Sequence, residues 1–104
     1  MVVVNAVVRY SKKDKKRYVA QGYEIDIVTD ARKRRQAVSK LVECVREHIS
    51  HFRCEPNLVM FKPNNELDGV FDDIVRNPKR YRFNEHRVFR GCRLHVYYSV
   101  NEKK

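Results

Sequence analysis

The sequence predicts an α+β domain with a mostly antiparallel sheet, in the order β-β-α-β-α-β-β, and two helices packed on one face. Three observations carry that prediction. β-branched and alternating segments occupy both ends of the chain, a long segment of helical period follows the first pair of strands, and a shorter amphipathic segment precedes the last pair. With 104 residues, 42% of them apolar, the chain supplies one hydrophobic core, so residues 1–104 read as a single domain with residues 101–104 as a frayed tail.

Residues 2–10 are rich in Val and read as a strand. Residues 11–16 are too polar to pack and read as an exposed loop. Residues 17–28 read as a second strand, because Tyr23, Ile25 and Ile27 alternate with Glu24 and Asp26. Gly22 marks a bulge or a bend. The two strands form a long hairpin with a basic tip. Thr29 or Asp30 is placed to N-cap a helix over residues 31–52. Its apolar stripe is Ala37, Val38, Leu41, Val42, Val45, Ile49 and Phe52, with Arg32, Arg35, Ser39, Glu43, Arg46 and Ser50 facing away.

Pro56 closes that helix, residues 58–61 read as a short buried strand, and Pro63-Asn64-Asn65 is a turn signal. A second helix is predicted over residues 66–76, with Leu67, Val70, Phe71, Ile74 and Val75 on its apolar face. Glu66 and Asp68 suit its positive end, and Asn77-Pro78 terminates it. Tyr81 and Phe83 then alternate with Arg80 and Arg82. After a turn at Arg90-Gly91, Cys92, Leu94, Val96 and Tyr98 alternate with Arg93, His95, Tyr97 and Ser99.

Charge is the strongest functional signal. The chain carries 23 Lys and Arg against 13 Asp and Glu, a formal +10. Three segments hold 16 of those cations: Lys12, Lys13, Lys15, Lys16 and Arg17; Arg32, Lys33, Arg34 and Arg35; and seven more from Arg76 to Arg93. Such clustering repels itself, and a polyanionic partner relieves that repulsion. The second cluster sits at a helix start, where the dipole opposes each cation by about 0.3–1 kcal/mol. The same position suits a phosphate, because free amides and guanidiniums converge there.

The expected function is nucleic-acid binding through the phosphate backbone, RNA or single strands favoured over duplex. The expected contacts are the first two clusters together with Arg80, Arg82, Arg90 and Arg93, and Tyr81 and Tyr97 offer ring faces to bases. The alternative is a module or inhibitor that docks on an acidic protein, with the strands near Val2 and Val96 pairing between two copies as a homodimer. Short basic runs such as residues 12–17 also resemble nuclear-import signals.

Other chemistry is less well supported. Cys44, His48, His51 and Cys54 have zinc-type ligands at C-x3-H-x2-H-x2-C spacing, but one helix cannot easily surround an ion, so a zinc-independent fold with no cofactor is expected. A metal-dependent nuclease would require a carboxylate cluster, for which Glu24 with Asp26, and Glu66, Asp68, Asp72 and Asp73, are the candidates. His86 and His95 are the candidates for metal-free acid–base cleavage. None of these stands in a catalytic motif, and no catalytic residue is assigned. Three cysteines argue against a disulfide framework. No segment is long enough to span a bilayer and no cleavable leader is recognised, so the expected location is intracellular, in cytoplasm or nucleus, with no membrane partner.

Overall fold

The computed structural model describes residues 2–11, 17–51 and 65–100. Strands β1 (Val2–Ser11), β2 (Arg17–Gly22) and β3 (Val28–Ala31) form an antiparallel meander. Helix α1 (Arg34–His51) follows. A 3₁₀ turn at Asn65–Leu67 leads into α2 (Asp68–Arg76), a second at Pro78–Arg80 leads into β4 (Tyr81–Phe89), and β5 (Cys92–Ser99) completes the sheet. The strand order is β3-β2-β1-β5-β4, antiparallel throughout except for the parallel pair β1–β5.

The fold is the predicted α+β domain with a mostly antiparallel sheet. The central position of β1 explains its composition. A strand flanked on both sides and covered on both faces reads as a continuous apolar run rather than an alternation. Val4, Ala6 and Val8 are buried on one face and Val7 on the other. The same position corrects the expected dimer edges. β1 and β5 are interior strands, and among the described residues the edges of the sheet are β3 and β4.

The segment expected as one strand over residues 17–28 breaks at Gly22. Residues 23–27 form a bend closed by the Gly22 amide donating to the Ile27 carbonyl (2.8 Å) and the Ile27 amide donating to the Ile25 carbonyl (2.8 Å). A Cβ on Gly22 would stand 2.3 Å from the Ile25 carbonyl oxygen, so only glycine fits. The alternation of Tyr23, Ile25 and Ile27 therefore does not belong to a strand. Ile25 is buried in the main core, while Tyr23 stacks on Phe71 of α2. The chain then pairs back on β2, with Ala20 opposite Thr29 and Tyr18 opposite Ala31. Thr29 and Asp30 are consequently strand residues and do not cap α1. The Thr29 hydroxyl donates instead to the Ala37 carbonyl at 2.8 Å. The predicted strand at residues 58–61, with Phe52 and Pro56, lies outside the described residues.

One face of the sheet packs on α1. Ala37, Leu41 and Val45 are fully buried against Val4, Ala6, Val8, Ala20, Leu94 and Val96, and Val38, Val42 and Ile49 extend the contact. This is the predicted stripe. The β4–β5 hairpin turns at Arg90-Gly91, where Gly91 has φ 83°. An L-residue there adopts the left-handed region at about 1–2 kcal/mol, so Gly91→Ala is expected to lower unfolding stability by about 1 kcal/mol in urea titration.

The two helices lie on opposite faces, not on one as expected. Side chains alternate along β5, so Val96 meets the α1 core while Tyr97 faces away. Tyr97 packs edge-on against Phe71 of α2, ring centroids 5.8 Å apart. Leu67 and Ile74 are buried on this second side, outside the α1 core. Two hydroxyl–carboxylate contacts fasten α2. Tyr23 Oη donates to Asp68 (2.6 Å) and Tyr81 Oη donates to Asp73 (2.5 Å), whose other oxygen accepts from Asn77 (2.7 Å).

The fastening gives a two-sided pH dependence. Hydrogen bonds from Tyr81 and then Asn77 hold the Asp73 carboxyl below its ordinary value, so its contribution is present above about pH 4 and lost as pH falls. Hydrogen bonds to Asp73 and Asp68 push the Tyr81 and Tyr23 hydroxyls up. Their contribution is complete below about pH 10 and lost as pH rises further. Thermal midpoints are expected to be flat from about pH 7 to about pH 9 and to fall on both sides, the acid side beginning with His86, whose neutral form is favoured by burial in the fold. Tyr81→Phe is expected to shallow the acid limb. A variant with the parental acid limb would show that the Tyr81–Asp73 bond does not contribute to it.

Candidate nucleic-acid interface

The second basic segment and the ends of several strands meet at one end of the sheet. Tyr10 and Tyr18 are cross-strand partners there, Ala31 at the end of β3 pairs with Tyr18, and Tyr98 lies on β5 opposite Arg82 of β4. α1 begins at the same end. The Ala37 amide donates to the Lys33 carbonyl (3.1 Å), which makes Lys33 the N-cap residue and puts Arg34 and Arg35 in the first turn. A lysine side chain has no acceptor with which to cap, and the first turn contains no acid. The helix start is therefore later than predicted. Its cations remain at an uncapped, positive helix end.

Arg32, Lys33, Arg34 and Arg35 are all exposed, and among the described residues none of them forms an ion pair. Four cations elsewhere are matched: Arg17 with Asp30 (2.7 Å), Arg46 with Glu43 (2.6 Å), Arg76 with Asp72 (3.1 Å) and Arg93 with Glu85 (3.0 Å). Arg32, Lys33, Arg34 and Arg35 stand beside a cleft of about 720 Å³ between the start of α1 and the sheet. Its apolar surface comes from Val8, Val38 and Val96 and its rings from Tyr10, Tyr18 and Tyr98. The Arg34 guanidinium lies over the Tyr98 ring, 4.7 Å from its centroid. Tyr10 and Tyr18 meet at 5.2 Å with ring planes tilted by 59°. Asn84 and His86 of β4 complete the wall.

Burial pushes the His86 imidazole pKa down, which favours a neutral ring near pH 7. Its Nε2 is shielded from solvent and has no hydrogen-bond partner among the described residues.

The other residues predicted for this surface divide into three groups. Arg82 is exposed and, as the partner of Tyr98, stands on the cleft face, while Arg80 is exposed in the turn before β4 at the same end. Tyr81, Tyr97 and Arg93 belong to the opposite face. Tyr81 holds Asp73, Tyr97 packs on Phe71 and Phe83, and Arg93 is paired to Glu85, so their expected alignment with Arg82 is corrected. The reason is alternation: Arg82 opposes Tyr98, whereas Arg93 opposes Arg87. Arg90 is exposed in the hairpin turn at the far end of β5. Arg17 is tied to Asp30, and Lys12, Lys13, Lys15 and Lys16 lie outside the described residues.

The alternative chemistries are not assembled among the described residues. His86 and His95 stand on opposite faces, because His86 pairs with buried Leu94 and His95 adjoins it on β5. They therefore do not form an acid–base pair. Glu24 accepts from the Asn5 amide (2.6 Å) and side chain (2.7 Å), and neither it nor Asp26 lies on a strand. Asp68 and Asp73 are held by tyrosines and Asp72 by Arg76. Cys44 and His48 are half-buried one turn apart on α1, while the side chain of His51 and Cys54 lie outside the described residues. Among the described residues no group of three or more His, Cys, Asp or Glu could hold a metal ion. None of their helices is long and apolar enough to cross a membrane.

Sequence reasoning did not find the three tyrosines of the cleft. A signal was present, since Val8-x-Tyr10, Tyr18-x-Ala20 and Val96-x-Tyr98 each continue a buried row by one ring. No family model, curated protein or solved structure matches this chain.

Proposed function

We propose that this chain binds nucleic acid through the phosphate backbone, gripping RNA or single-stranded DNA with the start of α1. One observation carries the reading: Arg32, Lys33, Arg34 and Arg35 are exposed, without ion pairs among the described residues, beside a ring-lined cleft. Local stability opposes cations at a helix start, and a bound phosphate reverses that opposition. Arg80 and Arg82 extend the positive surface along the same end of the sheet.

Binding of this kind releases counterions. With four phosphate contacts the salt slope for a single strand is about −2.8, so affinity is expected to fall about 50-fold between 50 and 200 mM salt. Fluorescence anisotropy with an end-labelled oligonucleotide across that range tests this, and a flat titration sinks the reading. An acidic protein partner would meet the same cations. Capture of such a partner, undisturbed by added polynucleotide, would favour that reading instead.

A further inference from the structure

We infer that the cleft is a receptacle for one unpaired nucleotide, with its phosphate at Arg32–Arg35 and its base on the tyrosine-lined floor. The inference rests on the nucleic-acid reading above and specifies the ligand: a strand whose bases are unpaired, held by base as well as backbone.

Size and polarity point the same way. The volume of about 720 Å³ lies within the range of about 300–1,000 Å³ typical of sites that enclose a small organic molecule. The cleft is cationic on the α1 side and lined by Val8, Val96 and tyrosine rings on the sheet side. A nucleotide has the same division, an anion at one end and a planar ring at the other. In a duplex the base faces are stacked away, so only an unpaired base can offer a face to these rings.

Arg34 and Asn84 strengthen the argument. The Arg34 guanidinium already lies over Tyr98. It is thereby a planar surface on which a base stacks and a fork that reaches a phosphate. On the β4 wall, the amide of Asn84 and the ring of His86 line the cleft. Base edges supply donors and acceptors suited to the exposed Asn84 amide. The neighbouring cations do not serve this purpose, because they contact phosphate of any sequence.

The experiment uses three end-labelled probes of equal length at one salt concentration: a single-stranded oligodeoxynucleotide, the same phosphodiester chain with its bases removed, and a duplex. The base-bearing single strand is expected to bind about tenfold tighter than the other two, the effect of one stacked base. Tyr98→Leu is expected to erase that difference, the variant binding the base-bearing and abasic chains equally. Asn84→Ala, at an exposed position, is expected to weaken base-bearing binding alone, and it decides the matter if the Tyr98 variant does not fold. Phe83→Leu, on the opposite face, serves as the control and is expected to bind like the parent. Equal affinity for base-bearing and abasic chains would overturn the receptacle and leave backbone binding standing. Absence of binding to all three probes would remove both.

Discussion

A variant carrying Lys33→Asp and Arg35→Glu is expected to melt about 10 °C higher than the parent and to bind single strands about 100-fold more weakly. The stability gain has two sources. Aspartate at the N-cap position of α1 accepts from a first-turn amide that lysine leaves without a side-chain partner, which contributes about 1 kcal/mol. Glutamate in the first turn replaces an unfavourable charge with a favourable one, contributing about 0.5–1 kcal/mol. Together they approach about 2 kcal/mol, and each kcal/mol moves the midpoint of a domain this size by about 4–8 °C. The binding loss follows from removing two charge-assisted phosphate contacts at about 1.5 kcal/mol each. Thermal denaturation and anisotropy on the same preparation measure both. Arg34 and its stack on Tyr98 are retained, so any loss reports charge rather than collapse of the cleft. A variant that melts lower would contradict the assignment of the helix start, and one that binds as well as the parent would contradict the interface.

Gly22→Ala is expected to cost about 3 kcal/mol or more, a large part of the roughly 5–15 kcal/mol that holds such a domain together. The added methyl would meet the Ile25 carbonyl oxygen at 2.3 Å, and that atom is backbone. Relief requires moving the bend itself. The bend supplies the Gly22–Ile27 and Tyr23–Asn5 backbone hydrogen bonds, seats Ile25 in the core and presents Tyr23 to α2. Urea titration beside Gly91→Ala separates the two glycine roles. The first is a close approach with no room for a side chain; the second is a backbone angle that costs about 1 kcal/mol. A Gly22→Ala protein within about 0.5 kcal/mol of the parent would show that the bend has another conformation available.

Which parts of this molecule the sequence discloses depends on how local their causes are. The stripe from Ala37 to Ile49 is a one-helix property, so its period survives into the structure nearly unchanged. The alternation of Tyr23, Ile25 and Ile27 misleads because three apolar residues at a spacing of two also describe a bend that sends Ile25 and Tyr23 into different cores. Gly22 was the local warning, but the 2.3 Å approach that requires it involves a residue three positions away. The sides taken by α1 and α2 are less legible still. Each helix has one apolar face, and either side of a sheet satisfies it; the choice follows from the strand order β3-β2-β1-β5-β4. The candidate site was legible as charge at residues 32–35 and illegible as a cleft. Tyr10, Tyr18 and Tyr98 come from three strands, and only the pairing register brings their ends together.

The parallel pairing of β1 with β5 has a kinetic consequence. Val2 lies beside Cys92 and Val7 beside Tyr97, so the two innermost strands are joined by a loop of nearly the whole chain. The entropy of closing that loop is lost before its contacts reward it, which puts folding toward the millisecond-to-second range of domains dominated by non-local contacts. Until β5 arrives, the meander and α1 have one side of their central strand unpaired, and the β4–β5 hairpin has only itself. Neither half has a completed sheet to rest on, so the transition that creates the cleft is expected to be all-or-none.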